Sequence, residues 1–155
     1  MSGTRLGRSF FRDQSALQLA KNLLGCVLVH TTPDGVIAGV ITETEAYTES
    51  DEASHCFGGR KNTKNEVMFS AGGHMYVYFT YGMYHCVNVV SGVAGKGSAV
   101  LLRSVSLTDG VDWRMKTGCV HGAGGRSVPA LLRVMWLTDP ESCVRHSGLI
   151  GGLMA

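Results

Sequence analysis

Residues 43–82 hold most of the side chains whose type and spacing could do chemistry: carboxylates at Glu43 and Glu45, an aromatic at Tyr47, a histidine at His55, and tyrosines at Tyr76 and Tyr78. A tyrosine-rich turn, Tyr81-Gly82-Met83-Tyr84, closes the stretch. A carboxylate can take a proton from water, and an aromatic face can stack on a flat ring. Together these types suit a site that pulls a flat heteroaromatic ring out of a stack, holds it between side chains and attacks beside it with an activated water.

Each of these residues also has a bland reading. Glu45 suits a surface strand carboxylate paired with an arginine, and Glu43 beside it could raise its pKa through like-charge coupling. Tyr76 and Tyr78 suit plain strand packing, and Tyr81 an ordinary exposed turn. Met68 and Leu101 suit a core, Asn88 a strand-end amide, and Arg103 a structural partner for a carboxylate. The acidic run Glu49, Asp51 and Glu52 reads as a solvated surface. The segment GVAGKGS superficially resembles a phosphate loop but lacks the required spacing, so a tight turn is expected there. The pairs His55-Cys56 and His85-Cys86 have poor chelate geometry, so no metal site is expected.

The elements that must position these groups follow from periodicity. Within residues 13–25, Ala16, Leu17, Leu19, Ala20, Leu23 and Leu24 fall on one helical face, with Asp13 or Ser15 as N-cap and Gly25 as the C′ residue. A short apolar strand, residues 26–30, is followed by turn chemistry at residues 31–35 and a strand from Val36 to about Glu45, so a hairpin is expected. On the second strand Ile37, Gly39, Ile41, Glu43 and Glu45 share a face by period two, as if the strand left the core and entered a cleft. Residues 48–65 lack periodicity and read as a long loop. Residues 75–80 alternate apolar Met75, Val77 and Phe79 with Tyr76, Tyr78 and Thr80. Strands at 85–91 and 98–104 follow, and Tyr81 lies in the open at a hairpin tip. Thr108 is placed to cap a helix beginning DGVDWRM.

At 155 residues with 45% hydrophobic and 17% charged composition, the chain is about one domain with a real core. The net charge of +2 disfavours a histone-like binder, although Arg60, Lys61 and Lys64 form a local basic cluster. Its five cysteines are widely spaced without a C-x-x-C pair, which points to free thiols in a reducing compartment. No secretory h-region or membrane-length apolar run is present, so a cytoplasmic location is expected, nucleoid-associated in a bacterium and nuclear in a eukaryote.

Glu43-Thr44-Glu45-Ala46-Tyr47, Asp51-Glu52-Ala53-Ser54-His55, Tyr76-Val77-Tyr78, Tyr81-Gly82-Met83-Tyr84 and Leu101-Leu102-Arg103 occur in an order and at spacings that resemble the alkyladenine (3-methyladenine) DNA glycosylase family, over about residues 6–113. The resemblance implies an α/β domain of α+β type, with a curved antiparallel sheet, a projecting tyrosine-bearing hairpin and flanking helices. It implies hydrolysis of the N-glycosidic bond of alkylated purines, without metal or other cofactor, on double-stranded DNA, by a monomer with no obligate protein partner. By the same resemblance Glu45 is the general base, Tyr47, His55, Tyr78, Asn88 and Leu101 line the base pocket, and Tyr81 intercalates. Met68 is a DNA-contacting or supporting hydrophobe and Arg103 a site-lining arginine. No lysine stands at position 45, so a water-using, monofunctional reaction is expected over Schiff-base chemistry.

The expected organisation is a glycosylase-like domain, residues 1–113, and a divergent tail, 114–155, which is glycine-rich with an unpatterned apolar block at 128–137. A shifted reading frame or a truncated gene would account for such a tail. Two alternatives follow: an inactive remnant of the family, or a module that binds distorted DNA through Tyr81 without catalysis. Glycosidase action on free sugars is disfavoured, because side chains two apart on one strand do not flank a substrate.

Overall fold

A computed structural model describes residues 5–32, 35–81, 84–109 and 128–129. Two helices lead the chain, α1 (Arg8–Arg12) and α2 (Ala16–Leu23). Ser15 caps α2 by accepting from the Gln18 amide at 3.3 Å, and Gly25 takes φ +82° just past its end. The expected apolar face is narrower in the structure. Ala16, Leu19, Ala20 and Leu23 are buried, whereas Leu17 and Leu24 are 61% and 48% exposed. At roughly 100° per residue, those two lie about 120–140° round the helix from the midpoint of Leu19 and Leu23, a third of a turn or more. The shorter α1 was not anticipated, since RSFFR is too brief to show a period; its Phe11 is fully buried.

Behind the helices lies an antiparallel sheet of α+β type, a single domain. Its strands are β1 (Val27–Thr32), β2 (Gly35–Thr48), β3 (Met75–Thr80), β4 (Tyr84–Val90) and β5 (Ser98–Asp109), in the order β1-β2-β5-β4-β3. A two-residue β6 (Val128–Pro129) pairs with Ser104 and Val105 of β5. The hairpins β1–β2 and β3–β4 are those expected. Two corrections concern the long central strands. β2 runs on past Glu45 because Ala46, Tyr47 and Thr48 pair with Val100, Ala99 and Ser98. Thr108 and Asp109 belong to β5, where a capped helix start had been expected. The proposed helix beyond it, residues Gly82 and Met83, and the expected tail at 114–155 apart from β6 lie outside the described residues.

The face shared by Ile41, Glu43 and Glu45 also needs correction. Ile41 pairs with Val105 and Glu43 with Ser104, leaving Thr42 over; Thr44 then pairs with Leu102, leaving Arg103 over. This irregularity reverses which way the strand faces. Ile41 and Thr44 both face α2: Ile41 is in the core with Leu19 and Leu23, and Thr44 Oγ1 donates to the Ala20 carbonyl at 2.8 Å. Glu43 and Glu45 therefore turn to the other side of the sheet.

Each face of the sheet has its own core. The helix side gathers Phe11, Leu19, Leu23, Leu28, Ile41, Val87, Val89, Val100 and Leu102. Full burial of each large apolar side chain there contributes about 1.5–3 kcal/mol. The other side gathers Cys56, Met68, Phe69, Tyr76, Val90 and Ala99 under residues 48–70. Cys26, Cys56 and Cys86 are free thiols, while Cys119 and Cys143 lie outside the described residues. Among the described residues no helix is long and apolar enough to cross a membrane.

Candidate functional site

Four strands set the floor of the site in one lateral row. Glu45 of β2 pairs with Leu101 of β5, Leu101 with Asn88 of β4, and Asn88 with Tyr76 of β3. Partners in an antiparallel pair point to the same face. Three residues named on the sequence, Glu45, Leu101 and Asn88, are thus aligned with a fourth, Tyr76, that had been read as plain packing. One step along each strand pair, Tyr47 and Tyr78 share this face.

Tyr47, Tyr76, Tyr78 and Asn88 line one side of a small open recess; Ala53, Ser54, His55 and Met68 line the other. Leu101 is only half-buried and Met68 is 3% exposed, so Met68 supports the recess from within the core. The rings of His55 and Tyr78 are 4.5 Å apart and those of Tyr76 and Tyr78 5.3 Å apart. The Asn88 amide donates to the Tyr76 carbonyl at 3.1 Å, which fixes its side chain against β3. Burial pushes the Tyr76 phenol up to about 12 and raises Tyr78 as well, with Cys86 beside Tyr78 adding to the shift. Tyr47 is also raised, first by burial and then by Glu45. These phenols stay neutral at physiological pH and act as apolar walls with a hydroxyl handle.

At the open end of the row Arg103 bridges the carboxylates, with Nε to Glu43 Oε1 at 2.8 Å and Nη1 to Glu45 Oε2 at 2.5 Å. Both hydrogen bonds raise the guanidinium pKa, that to Glu45 more. The extra-residue position of Arg103 in β5 places it opposite both acids, and a shared cation offsets the like-charge coupling expected between them. The bland readings of Glu45 and Arg103 thus describe their contacts. Glu45 still keeps 40% of its side chain exposed, open to a water or a ligand.

The loop that carries His55 is built by side-chain hydrogen bonds that the sequence reading missed. Asn65, 2% exposed, donates from Nδ2 to the carbonyls of His55 and Arg60 at 2.7 and 2.9 Å and accepts from the Asn62 amide at 2.8 Å. Glu49, read as solvated, accepts from the Gly97 amide at 2.6 Å. Cys56 Sγ donates to the Gly97 carbonyl at 3.2 Å. A Cβ on Gly97 would lie 2.6 Å from that of Cys56, so only glycine lets the turn at 92–97 approach the loop this closely. Short polar residues in a nonperiodic stretch were the available signal. The basic cluster is exposed, with the Arg60 guanidinium 5.5 Å from the Phe57 ring and the Lys61 ammonium 5.7 Å from that of Phe69.

Tyr81 follows β3 in the hairpin turn, at φ +53°, and is 88% exposed. A non-glycine residue in the left-handed region is uncommon, and an aromatic ring held in solvent at a hairpin end is a candidate wedge. Among the described residues no group of three or more histidine, cysteine or acidic side chains could hold a metal ion.

The profile of the family described as methylpurine-DNA glycosylase matches residues 9–121, running past the expected end at 113. Curated relatives named "Putative 3-methyladenine DNA glycosylase" include one from Streptomyces avermitilis, 52% identical over 110 residues, which cover 70% of this chain and 51% of the relative. One from Carboxydothermus hydrogenoformans is 47% identical over 69% of this chain and 55% of its own length. One from Clostridium botulinum is 45% identical over 70% and 54%. The chain spans about half the length of the curated relatives it matches.

Proposed function

The chain belongs to the methylpurine-DNA glycosylase family, and from that premise we propose that it removes alkylated purines such as 3-methyladenine from double-stranded DNA, as a base-excision repair hydrolase. The observation that carries the reading is the lateral row Glu45–Leu101–Asn88–Tyr76, which sets a half-exposed carboxylate at one end of an aromatic recess. Tyr81 enters the duplex and fills the space of the displaced base, at an unstacking cost of a few kcal/mol that is least for a damaged base. The base enters between Tyr47, His55 and Tyr78. Methylation at N3 or N7 makes the purine cationic, and each aromatic face attracts such a ring by about 0.5–2 kcal/mol.

Glu45 takes a proton from a water as its oxygen bonds to C1′ of the deoxyribose. The bond from C1′ to the purine nitrogen breaks, and its electrons leave with the base, whose positive charge they neutralise. The products are a free base and an abasic site. Arg103 holds the Glu45 carboxylate toward the row while leaving one of its oxygens for the water. Arg60, Lys61 and Lys64 on the adjoining loop attract the phosphate backbone.

Single-turnover release of 3-methyladenine from methylated duplex DNA by wild type and Glu45→Gln tests the reading. Glutamine keeps the shape and cannot take the proton, so release should slow by about 10²–10⁴-fold. DNA binding without release from either protein would instead favour a non-catalytic module. Equal release by both would remove Glu45 from its role.

A further inference from the structure

We infer that Tyr76 sets the tautomer of His55: the phenol donates to Nδ1, so the neutral imidazole carries its proton on Nε2 and meets the recess as a hydrogen-bond donor. Tyr76 Oη lies 2.6 Å from His55 Nδ1, with the two rings edge-on at 79°. Either group could donate across that distance, and the surroundings decide between them. Tyr76 is 5% exposed, and among the described residues its hydroxyl has no other hydrogen-bond partner. A buried hydroxyl that merely accepted from Nδ1–H would have no acceptor for its own proton among the described residues. Donation to the Nδ1 lone pair satisfies it. Burial also keeps the phenol protonated well into the alkaline range, so the donor does not disappear.

Two further contacts hold the ring in this role. Asn65 fixes the His55 carbonyl, and Tyr78 packs on the imidazole at 4.5 Å. Tyr76 and Asn65 are thus positioning residues, one acting on the ring and the other on the backbone. What the tautomer does for a substrate rests on the glycosylase reading: a neutral N–H donor suits an acceptor nitrogen or oxygen and does not repel a cationic purine as an imidazolium would. The tautomer itself does not depend on that reading.

The test is long-range ¹⁵N–¹H NMR of the histidine side chains at pH 8, above the range in which an imidazole ordinarily takes a second proton. His55 is assigned by its loss in His55→Gln. Wild type should show a pyridine-like Nδ1 and a protonated Nε2, and Tyr76→Phe should move both nitrogens toward the average of the exchanging tautomers. A wild-type spectrum with the proton on Nδ1 overturns the inference, as does a folded Tyr76→Phe protein with an unchanged pattern. Should Tyr76→Phe fail to fold, the wild-type spectrum decides alone. A protein that releases no base but shows the protonated Nε2 would refute the proposed function and leave the tautomer standing.

Discussion

The two faces of the sheet are held by different physics. On the helix side, Phe11, Leu19, Leu23, Val87, Val89 and Val100 interlock, and the hydrogen bond from Thr44 to Ala20 accompanies the apolar contact. On the recess side the covering layer is a loop with two short 3₁₀ turns, Phe57–Gly59 and Glu66–Phe69. Besides the smaller apolar cluster around Cys56, Met68 and Phe69, it is tied down through Asn65, Glu49 and Cys56 by directed bonds to backbone groups. Apolar burial is non-directional, so the first face tolerates small shifts of side chains. Hydrogen bonds are directional, so the second fixes His55 and its neighbours in particular orientations. The division teaches that stability and site geometry are carried by separate sets of residues on opposite surfaces of the same strands.

The largest expected effect tests the apolar face. Leu23→Ala removes a fully buried side chain between α2 and the sheet and should lower unfolding stability by about 2–5 kcal/mol, seen as a drop in the urea midpoint. Histidine NMR signals of the residual folded protein should stay as in wild type. A shift at His55 would show that the two faces are coupled through the strands.

Asn65→Ala probes the other face and should act locally. It strands the carbonyls of His55 and Arg60, each at about 1–3 kcal/mol where burial persists; because the loop can reopen to water, the overall loss should be about 2 kcal/mol. Amide hydrogen exchange is the sharper readout. Protection should fall across residues 54–65 while that of α2 is reduced only by the global loss. Uniform loss of protection in both would erase the distinction between the faces.

What was legible in the sequence divides along the same line. α2, β3 and the two hairpins were readable because an apolar face repeats at 3.6 or 2 residues, and the tight turn at 92–97 because glycine punctuates it. Leu17 and Leu24 were overcounted, since periodicity does not say how wide an arc the sheet covers. The irregularity around Thr42 and Arg103 was invisible: an extra residue in each strand is a matter of pairing, and the alternation of Ile41, Glu43 and Glu45 reads as unbroken. The candidate site residues were identified through family resemblance, and their alignment in a row depends on strand order, which local pattern does not contain. Asn65 and Glu49 passed as loop polarity because their partners are backbone atoms, which have no side-chain signature. Tyr76 was set aside because its hydroxyl partner, His55, lies 21 residues earlier in the chain.

The smallest expected effect lies where the two faces exchange. Ser104 is opposite Glu43 at the irregular step, is 7% exposed, and among the described residues its Oγ is the buried side-chain oxygen or nitrogen without a hydrogen-bond partner. A buried hydroxyl left without a partner costs roughly 1–3 kcal/mol. Ser104→Ala removes that penalty and leaves a void smaller than a methyl group, so stability should rise by about 0.5–1 kcal/mol, within the range for removing an unsatisfied group. The urea midpoint measures it. A loss of stability would mean that a buried water bonds Ser104 across the irregularity, making this crossing point part of the polar framework that fixes Glu43 and Glu45 and not a defect between two independent cores.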